Sequence, residues 1–262
     1  MERKDMPMET YTLWDKTQNH NAKIEWYAPQ TKKSDAAVVI FPGGAYKMHA
    51  DHEGKGYAEY INSIGITAFV VYYALAPEHF PLQLLDARRA VRFVRANSEK
   101  FGVDKNKICV MGSSAGGHLT AILSTYTRGI VGENVDEIDN QSYSPNGQIL
   151  CYPVIVSDKT IAHTGSYTNL LGEEVQNWED YDPSLLVHEN TPKAFIWHTV
   201  SDGLVKVLNS YRYATALYGK AIPCELHVFP FGSHGLGLAE TLPHVAQWTN
   251  LLKNWLAYYE FL

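Results

Sequence analysis

The chain has 262 residues, 45% of them hydrophobic and 19% charged, with a formal net charge of -6 and a pI near 6.0. That composition suits a globular enzyme with a sizeable core, and the acidic balance gives no reason to expect nucleic-acid binding. No run approaches the ~18 apolar residues needed to cross a bilayer. The opening MERKDMPMETYTLWDK has no apolar segment of a secretory signal.

Two segments, YTLW (11–14) and KIEWYAP (23–29), fit an antiparallel sheet edge. Short, nearly continuous apolar runs follow at 36–42, 66–73, 107–112, 148–156, 193–200 and 224–230, rich in β-branched and aromatic residues. Such runs are expected of strands buried on both faces. Helical patterns separate them, near 52–64, 82–99, 115–126 and 206–219, with a last one at 240–260. Alternating strands and helices predict an α/β fold with a mostly parallel central sheet covered on both faces. The basic run DARRAVRFVR (86–95) lies in an amphipathic pattern and reads as a solvated helix face.

Two stretches break the alternation. Residues 127–147 are polar and acidic and read as a surface loop, and residues 157–192 form a small insertion between late strands, with a helical piece around SYTNLLG. Long excursions of this kind tend to be lids or binding loops. No linker divides the chain, so 1–262 is expected to be one domain with 157–192 as a small cap. Cys109, Cys151 and Cys224 are odd in number and widely spaced, which predicts free thiols in a reducing compartment, the cytoplasm.

In an open parallel sheet, ligands gather beyond the carboxyl ends of the strands. Gly112-Ser113-Ser114-Ala115-Gly116 stands there and fits G-x-S-x-G with Ser114 at the centre. A sharp strand-to-helix turn exposes such a serine, and its small neighbours let backbones pass closely. Ser113 is the weaker candidate, since no glycine stands two residues before it. A serine alcohol needs a base, and His234 follows a strand in a glycine-rich loop at the same end of the sheet. His118 is expected to pack within the helix, and His198 to shape the pocket. The base needs an acid to fix its tautomer. Asp202 follows the preceding strand, whereas the competitors Asp158 and Asp182 lie in the insertion. Backbone N–H groups of Gly44, Ala45 and Ala115 are the expected oxyanion donors, with Gly43 and Gly44 permitting the tight turn.

The order Ser114, Asp202, His234, with the blocks FPGGAY, YYALAPEHFPLQLLDARRAVRFVRAN, GSSAGGHL and HTVSDGLV…GSHGLGL, resembles esterase-type α/β-hydrolases from about residue 36 onward. The acetyl-esterase and hormone-sensitive-lipase-like families carry corresponding blocks. HEGKGYAEYINSIGI and SSAGGHL look most similar to the bacterial acetyl-xylan and carbohydrate esterases. The resemblance implies hydrolysis of short acyl esters, including those of sugars, with no metal and no organic cofactor. It places the nucleophile on Ser114, the acid on Asp202, the base on His234 and the oxyanion donors on Gly44, Ala45 and Ala115. Two positions depart from the pattern. Pro42-Gly43-Gly44-Ala45 stands where lipase-like relatives have His-Gly-Gly-Gly, and Lys206 follows the valine of D-x-x-V where many have proline.

Tyr46 and Trp178, with Tyr167 and Tyr181, are candidates to stack on a sugar ring. The expected partner is a small-molecule ester, with no nucleic acid and no membrane, and self-association into a homo-oligomer is left open. The polar insertion argues against a long-chain lipase. An arylformamidase-like amide hydrolase and a non-enzymatic binding protein of the same fold are the alternatives.

Overall fold

β1 (Met8–Thr12) and β2 (Lys23–Tyr27) make the antiparallel edge of an eight-stranded sheet in the computed structural model, which describes residues 8–15, 21–133 and 135–262. β2 also pairs antiparallel with β4 (Thr67–Tyr72). From there the sheet is parallel: β4 lies beside β3 (Ala37–Phe41), then β5 (Ile108–Ser113), β6 (Gly147–Cys151), β7 (Ala194–Thr199) and β8 (Cys224–Phe229). Every expected strand has a counterpart in the expected sense, although the first lies at Met8–Thr12, so that Leu13 and Trp14 of the expected 11–14 fall outside it.

Successive side chains of a strand point to opposite faces, and β3 divides accordingly. Val39 and Phe41 join a core beneath α2 (Leu82–Ala96) and α4 (Ser114–Thr125), whereas Val38 and Ile40 join one beneath α1 (Asp51–Ser63) and a C-terminal helix at Trp248–Tyr258. On the α4 side, a third cluster packs Leu150 and Ile196 against Tyr213 and Leu217 of the helix Leu208–Gly219. Among the described residues, no helix is long and apolar enough to cross a membrane. Cys109, Cys151 and Cys224 are free thiols.

Three expectations need correction. The strand expected over 148–156 stops at Cys151, because Tyr152 adopts a left-handed φ of 37° and Pro153 follows. The apolar run continues, buried, to Val156, so hydrophobicity gave no sign of the stop. The helix expected over 240–260 is two helices, Pro243–Ala246 and Trp248–Tyr258, and the first starts at Pro243 and not at 240, since the residue before a proline is held out of the helical region.

The third correction concerns the basic run. Arg88, Arg89, Arg92 and Arg95 are all buried, the last at 8% exposure. The acidic loop 127–147 lies over them. Arg88 pairs with Glu133 at 2.6 Å, and Asp139 takes Arg89 at 3.1 Å and Arg92 at 3.4 Å. Arg95 donates to the carbonyls of Lys105 and Ser144 at 2.9 and 3.0 Å. Buried guanidinium groups need such partners, and here they stitch the loop to α2.

Candidate active site

Ser114 is the first residue of α4 and takes φ 51°, a left-handed conformation that ordinary side chains rarely adopt. The strand-to-helix turn is this tight because the backbones touch. A Cβ on Gly112 would lie 2.1 Å from the Gly116 carbonyl oxygen, and one on Gly116 would lie 2.0 Å from that of Phe41. The two outer glycines of G-x-S-x-G are therefore sterically required.

Three residues form one hydrogen-bonded row. His234 Nε2 lies 2.9 Å from Ser114 Oγ, and its Nδ1 lies 2.7 Å from Asp202 Oδ2. Facing a carboxylate, Nδ1 carries the proton, and Nε2 is left to accept from the serine hydroxyl. The His234 side chain keeps 14% of its surface exposed while that of Asp202 keeps 1%. Asp202 Oδ1 accepts from the N–H groups of Leu204 and Val205, each at 2.9 Å. Burial alone would raise the Asp202 pKa. Hydrogen bonds from His198 and His234, the charge of His234 and the Val205 N–H outweigh it and hold the carboxyl well below the usual carboxylate range. His198 is fully buried, with Nδ1 on the Ser210 hydroxyl at 2.8 Å and Nε2 on the Val205 carbonyl at 2.9 Å.

The loop after β3 supplies unpaired donors beside this row. Gly44, Ala45 and Tyr46 all have positive φ (124°, 56° and 58°). Among the described residues, the N–H groups of Gly44 and Ala45 donate to no protein acceptor. The Ala115 N–H belongs to the first turn of α4, where no intrahelical acceptor exists. The loop is tied down on several sides. The Gly43 N–H donates to Glu53 Oε2 at 2.9 Å, Tyr73 donates to the Pro42 carbonyl, and Asn169 Nδ2 donates to the Ala45 carbonyl at 2.8 Å. Asn169 lies on α5 (Thr164–Leu171), so the insertion 157–192 touches this loop directly. α3 is the short helix Ser98–Phe101 that follows α2, and Leu208–Gly219, Pro243–Ala246 and Trp248–Tyr258 are α6, α7 and α8.

The weaker candidates lie elsewhere. Ser113 is wholly buried and donates to the Tyr57 hydroxyl at 2.9 Å. Asp182 accepts from the N–H groups of Ser157 and Ser184, and Asp158 from the N–H and the hydroxyl of Thr160, so both close turns of the insertion. His118 packs as expected, accepting from the Tyr46 hydroxyl at 2.7 Å and donating Nε2–H to the Tyr181 carbonyl at 2.8 Å. Tyr46 is a correction. Its ring is fully buried among Tyr73 and His118, so it offers no face to a substrate. Trp178 is partly buried and stacks on Tyr167 at 4.9 Å, beside a groove lined by Ser157, Asp158 and Gln176.

Sequence reading missed Glu53 and Tyr152, which join the loops of Gly43 and His234 from beneath. A single glutamate in an amphipathic helix and a tyrosine at a strand end carry no local signal of such a contact. The expectation that His198 shapes the pocket carries no sign of its contact with Asp202.

A serine in a strand-to-helix elbow, followed in chain order by an aspartate and a histidine at later strand ends, defines an α/β-hydrolase. The chain belongs to the BD-FAE family, whose model matches residues 24–217. It is 40% identical over 215 residues to endo-1,4-beta-xylanase B of Butyrivibrio fibrisolvens, covering 79% of this chain and 33% of that protein. Against the acetylxylan esterase of Xylanibacter ruminicola it is 32% identical over 246 residues, covering 90% and 48% respectively. The chain thus spans about a third and about half of these two relatives. The crystal structure of an acetyl ester-xyloside bifunctional hydrolase from Caldicellulosiruptor lactoaceticus superposes with a TM-score of 0.89 at 38% identity, covering 97% of each chain.

Proposed function

We propose that the chain is a serine esterase that removes acetyl and other short acyl groups from hydroxyls of carbohydrates. The observation that carries this reading is the row Asp202–His234–Ser114, with hydrogen bonds of 2.7 and 2.9 Å. His234 Nε2 takes the Ser114 proton as Oγ attacks the ester carbonyl carbon. The N–H groups of Gly44, Ala45 and Ala115 receive the negative charge that develops on the carbonyl oxygen. Collapse of the tetrahedral adduct breaks the ester C–O bond, and His234 returns the proton to the departing alcohol oxygen. Water, deprotonated by the same imidazole, then releases the acid and restores the serine. Asp202 holds the productive tautomer and stabilises the imidazolium between the two proton transfers.

The carbohydrate part of the reading is supported by the xylan-related names of the two relatives and of the crystal structure. We take residues 1–262 as one catalytic domain with 157–192 as its cap, and the free thiols support a cytoplasmic enzyme. Trp178 is the sugar-stacking candidate, since the residue remains partly exposed, with Tyr167 stacked on its ring and the Lys159 ammonium 5.0 Å from the ring centroid.

Hydrolysis of acetylated xylooligosaccharides, of aryl esters of increasing acyl length and of N-formylkynurenine, each followed by release of its own acid, tests the reading. Turnover should peak between acetate and butyrate and fall steeply by octanoate. In an extended apolar channel each added methylene would contribute up to ~0.8 kcal/mol, so a peak at octanoate or beyond would indicate a lipase. Preferred cleavage of the formamide would indicate an amide hydrolase.

A further inference from the structure

The loop bearing Gly44 and Ala45 begins with Pro42, which has no side-chain polar group to hold Gly43 and Gly44 in place. That hold comes from α1. Glu53 is 2% exposed, and its two oxygens reach two different parts of the site. Oε2 accepts the Gly43 N–H at 2.9 Å, and Oε1 accepts the Tyr152 hydroxyl at 2.7 Å. The approach to Gly43 is so close that a Cβ there would lie 2.4 Å from the carboxylate.

Tyr152 carries the connection onward. Its oxygen accepts the Gly237 N–H at 2.9 Å, three residues beyond His234, and the edge of its ring meets the His234 imidazole at a centroid separation of 5.2 Å. The Tyr57 hydroxyl lies 3.1 Å from that oxygen and accepts in turn from Ser113 at 2.9 Å. The hydroxyls therefore donate in one direction, Ser113 to Tyr57 to Tyr152, and the series ends on the carboxylate, which only accepts. Tyr152 is held at φ 37°, a conformation that persists only where surrounding contacts over-determine it. Among the described residues, the one basic group near Glu53 is His52, at 3.7 Å, which itself bonds the Gly235 carbonyl.

We propose that Glu53 and Tyr152 form a single buried brace that fixes the oxyanion loop and the histidine loop relative to each other. Both are positioning residues for the esterase reaction, on which this inference rests. A buried carboxylate with no lysine or arginine partner is costly. Its use here is geometric, because its two acceptors hold two loops at once. Oxyanion donors stabilise a transition state only when already placed, and a displacement near 1 Å costs about 100-fold in rate. Charge alone would act the other way, since a carboxylate near the Gly44 donors opposes a developing oxyanion.

The test uses the full chain, Glu53→Gln, Tyr152→Phe and the double variant. Each is measured with an aryl acetate and with a short-chain alkyl trifluoromethyl ketone. Ser114 Oγ adds to the ketone carbon while its proton passes to His234, leaving an oxyanion in the loop. Each single variant should lose about 10- to 100-fold in kcat with KM within about twofold. The ketone should bind more weakly by a similar factor, because both effects report the same donors. The double variant should be no worse than about the poorer single one, as expected of residues acting as a unit. A single variant with kcat within twofold of the parent overturns the brace, as do unchanged ketone affinity, tighter ketone binding by Glu53→Gln, or multiplicative losses. If Glu53→Gln does not fold, Tyr152→Phe decides by the same criteria. A parent chain that neither cleaves the acetate nor binds the ketone refutes the esterase reading itself.

Discussion

His198 Nε2 lies 3.3 Å from Asp202 Oδ2, the same oxygen that takes His234 Nδ1 at 2.7 Å. The other oxygen of Asp202 is committed to the N–H groups of Leu204 and Val205. An asparagine at 202 must therefore keep its carbonyl on those donors and turn its NH₂ toward the two histidines. His234 Nδ1 would then become the acceptor and Nε2 would carry a proton facing Ser114, the wrong tautomer for a base. Asp202→Asn should lower kcat for aryl acetates by ~10⁴-fold, and thermal stability should fall as well, because the new NH₂ faces the buried His198 Nε2–H. A loss below about tenfold would contradict the tautomer argument.

The two adjacent serines should behave differently. Ser114→Ala removes the proposed nucleophile and should cost ~10⁴-fold or more in kcat while leaving the fold intact. Ser113→Ala removes one buried hydrogen bond to Tyr57 and should cost about 1 kcal/mol of stability. Its kcat should change only a few-fold. Steady-state kinetics with denaturant melts of both variants separate the two effects, and a reversed pattern would move the elbow by one residue.

Gly116→Ala should be severe although it adds one methyl group. The new Cβ would sit 2.0 Å from the Phe41 carbonyl oxygen and 2.6 Å from that of Pro42, and neither backbone atom can rotate away. Overpacking against backbone falls in the range above ~4 kcal/mol, or a Tm drop of about 10 °C for a domain of this size. Calorimetry showing a drop under 3 °C would mean that α4 can slide along the sheet.

His118 makes stability depend on pH. Burial pushes its pKa down to about 4, below the ~6.5 of an unfolded chain. Between those values the unfolded chain takes up a proton that the folded one refuses. The associated stability is complete above pH 6.5 and is lost as pH falls toward 4, a total of about 3 kcal/mol. His49, also pushed down to about 4 by burial, acts in the same direction. His118→Gln can keep both hydrogen bonds, accepting from Tyr46 and donating to Tyr181, without a titrating group. Urea melts at pH 7 and 4.5 should show a smaller loss for the variant than for the parent. Equal losses would remove His118 from the account.

Asn169→Ala tests whether the insertion supports catalysis. Loss of its hydrogen bond to the Ala45 carbonyl should slow acyl transfer about fivefold, roughly the worth of one ordinary hydrogen bond. Unaltered kcat and KM would mean that the contact only tethers the insertion.

The parallel strands were legible because each is a dense apolar run, and the row was legible because each member stands just beyond such a run. Ser114 follows β5, Asp202 follows β7 and His234 follows β8. Features made by distant pairings were not legible. The arginines of α2 read as a wet surface because their partners Glu133 and Asp139 come 45 and 47 residues later. Tyr46 read as a substrate contact because its loop position was visible, while the inward turn produced by three successive positive φ values was not. Glu53 and Tyr152 are 99 residues apart, and neither has a neighbour in sequence that hints at the other.

The strand order has a consequence for how the protein acquires activity. Ser114 and His234 are 120 residues apart, and His234 is delivered by the last strand to join the sheet in chain order. Contacts of such separation are entropically late, because the intervening chain must be ordered before they bring any return. Refolding intermediates containing only β1 to β6 would hold Ser114 in its elbow with no imidazole within reach. Recovery of hydrolysis after dilution from denaturant should therefore lag recovery of helical circular dichroism, and its rate would report the docking of β8 itself.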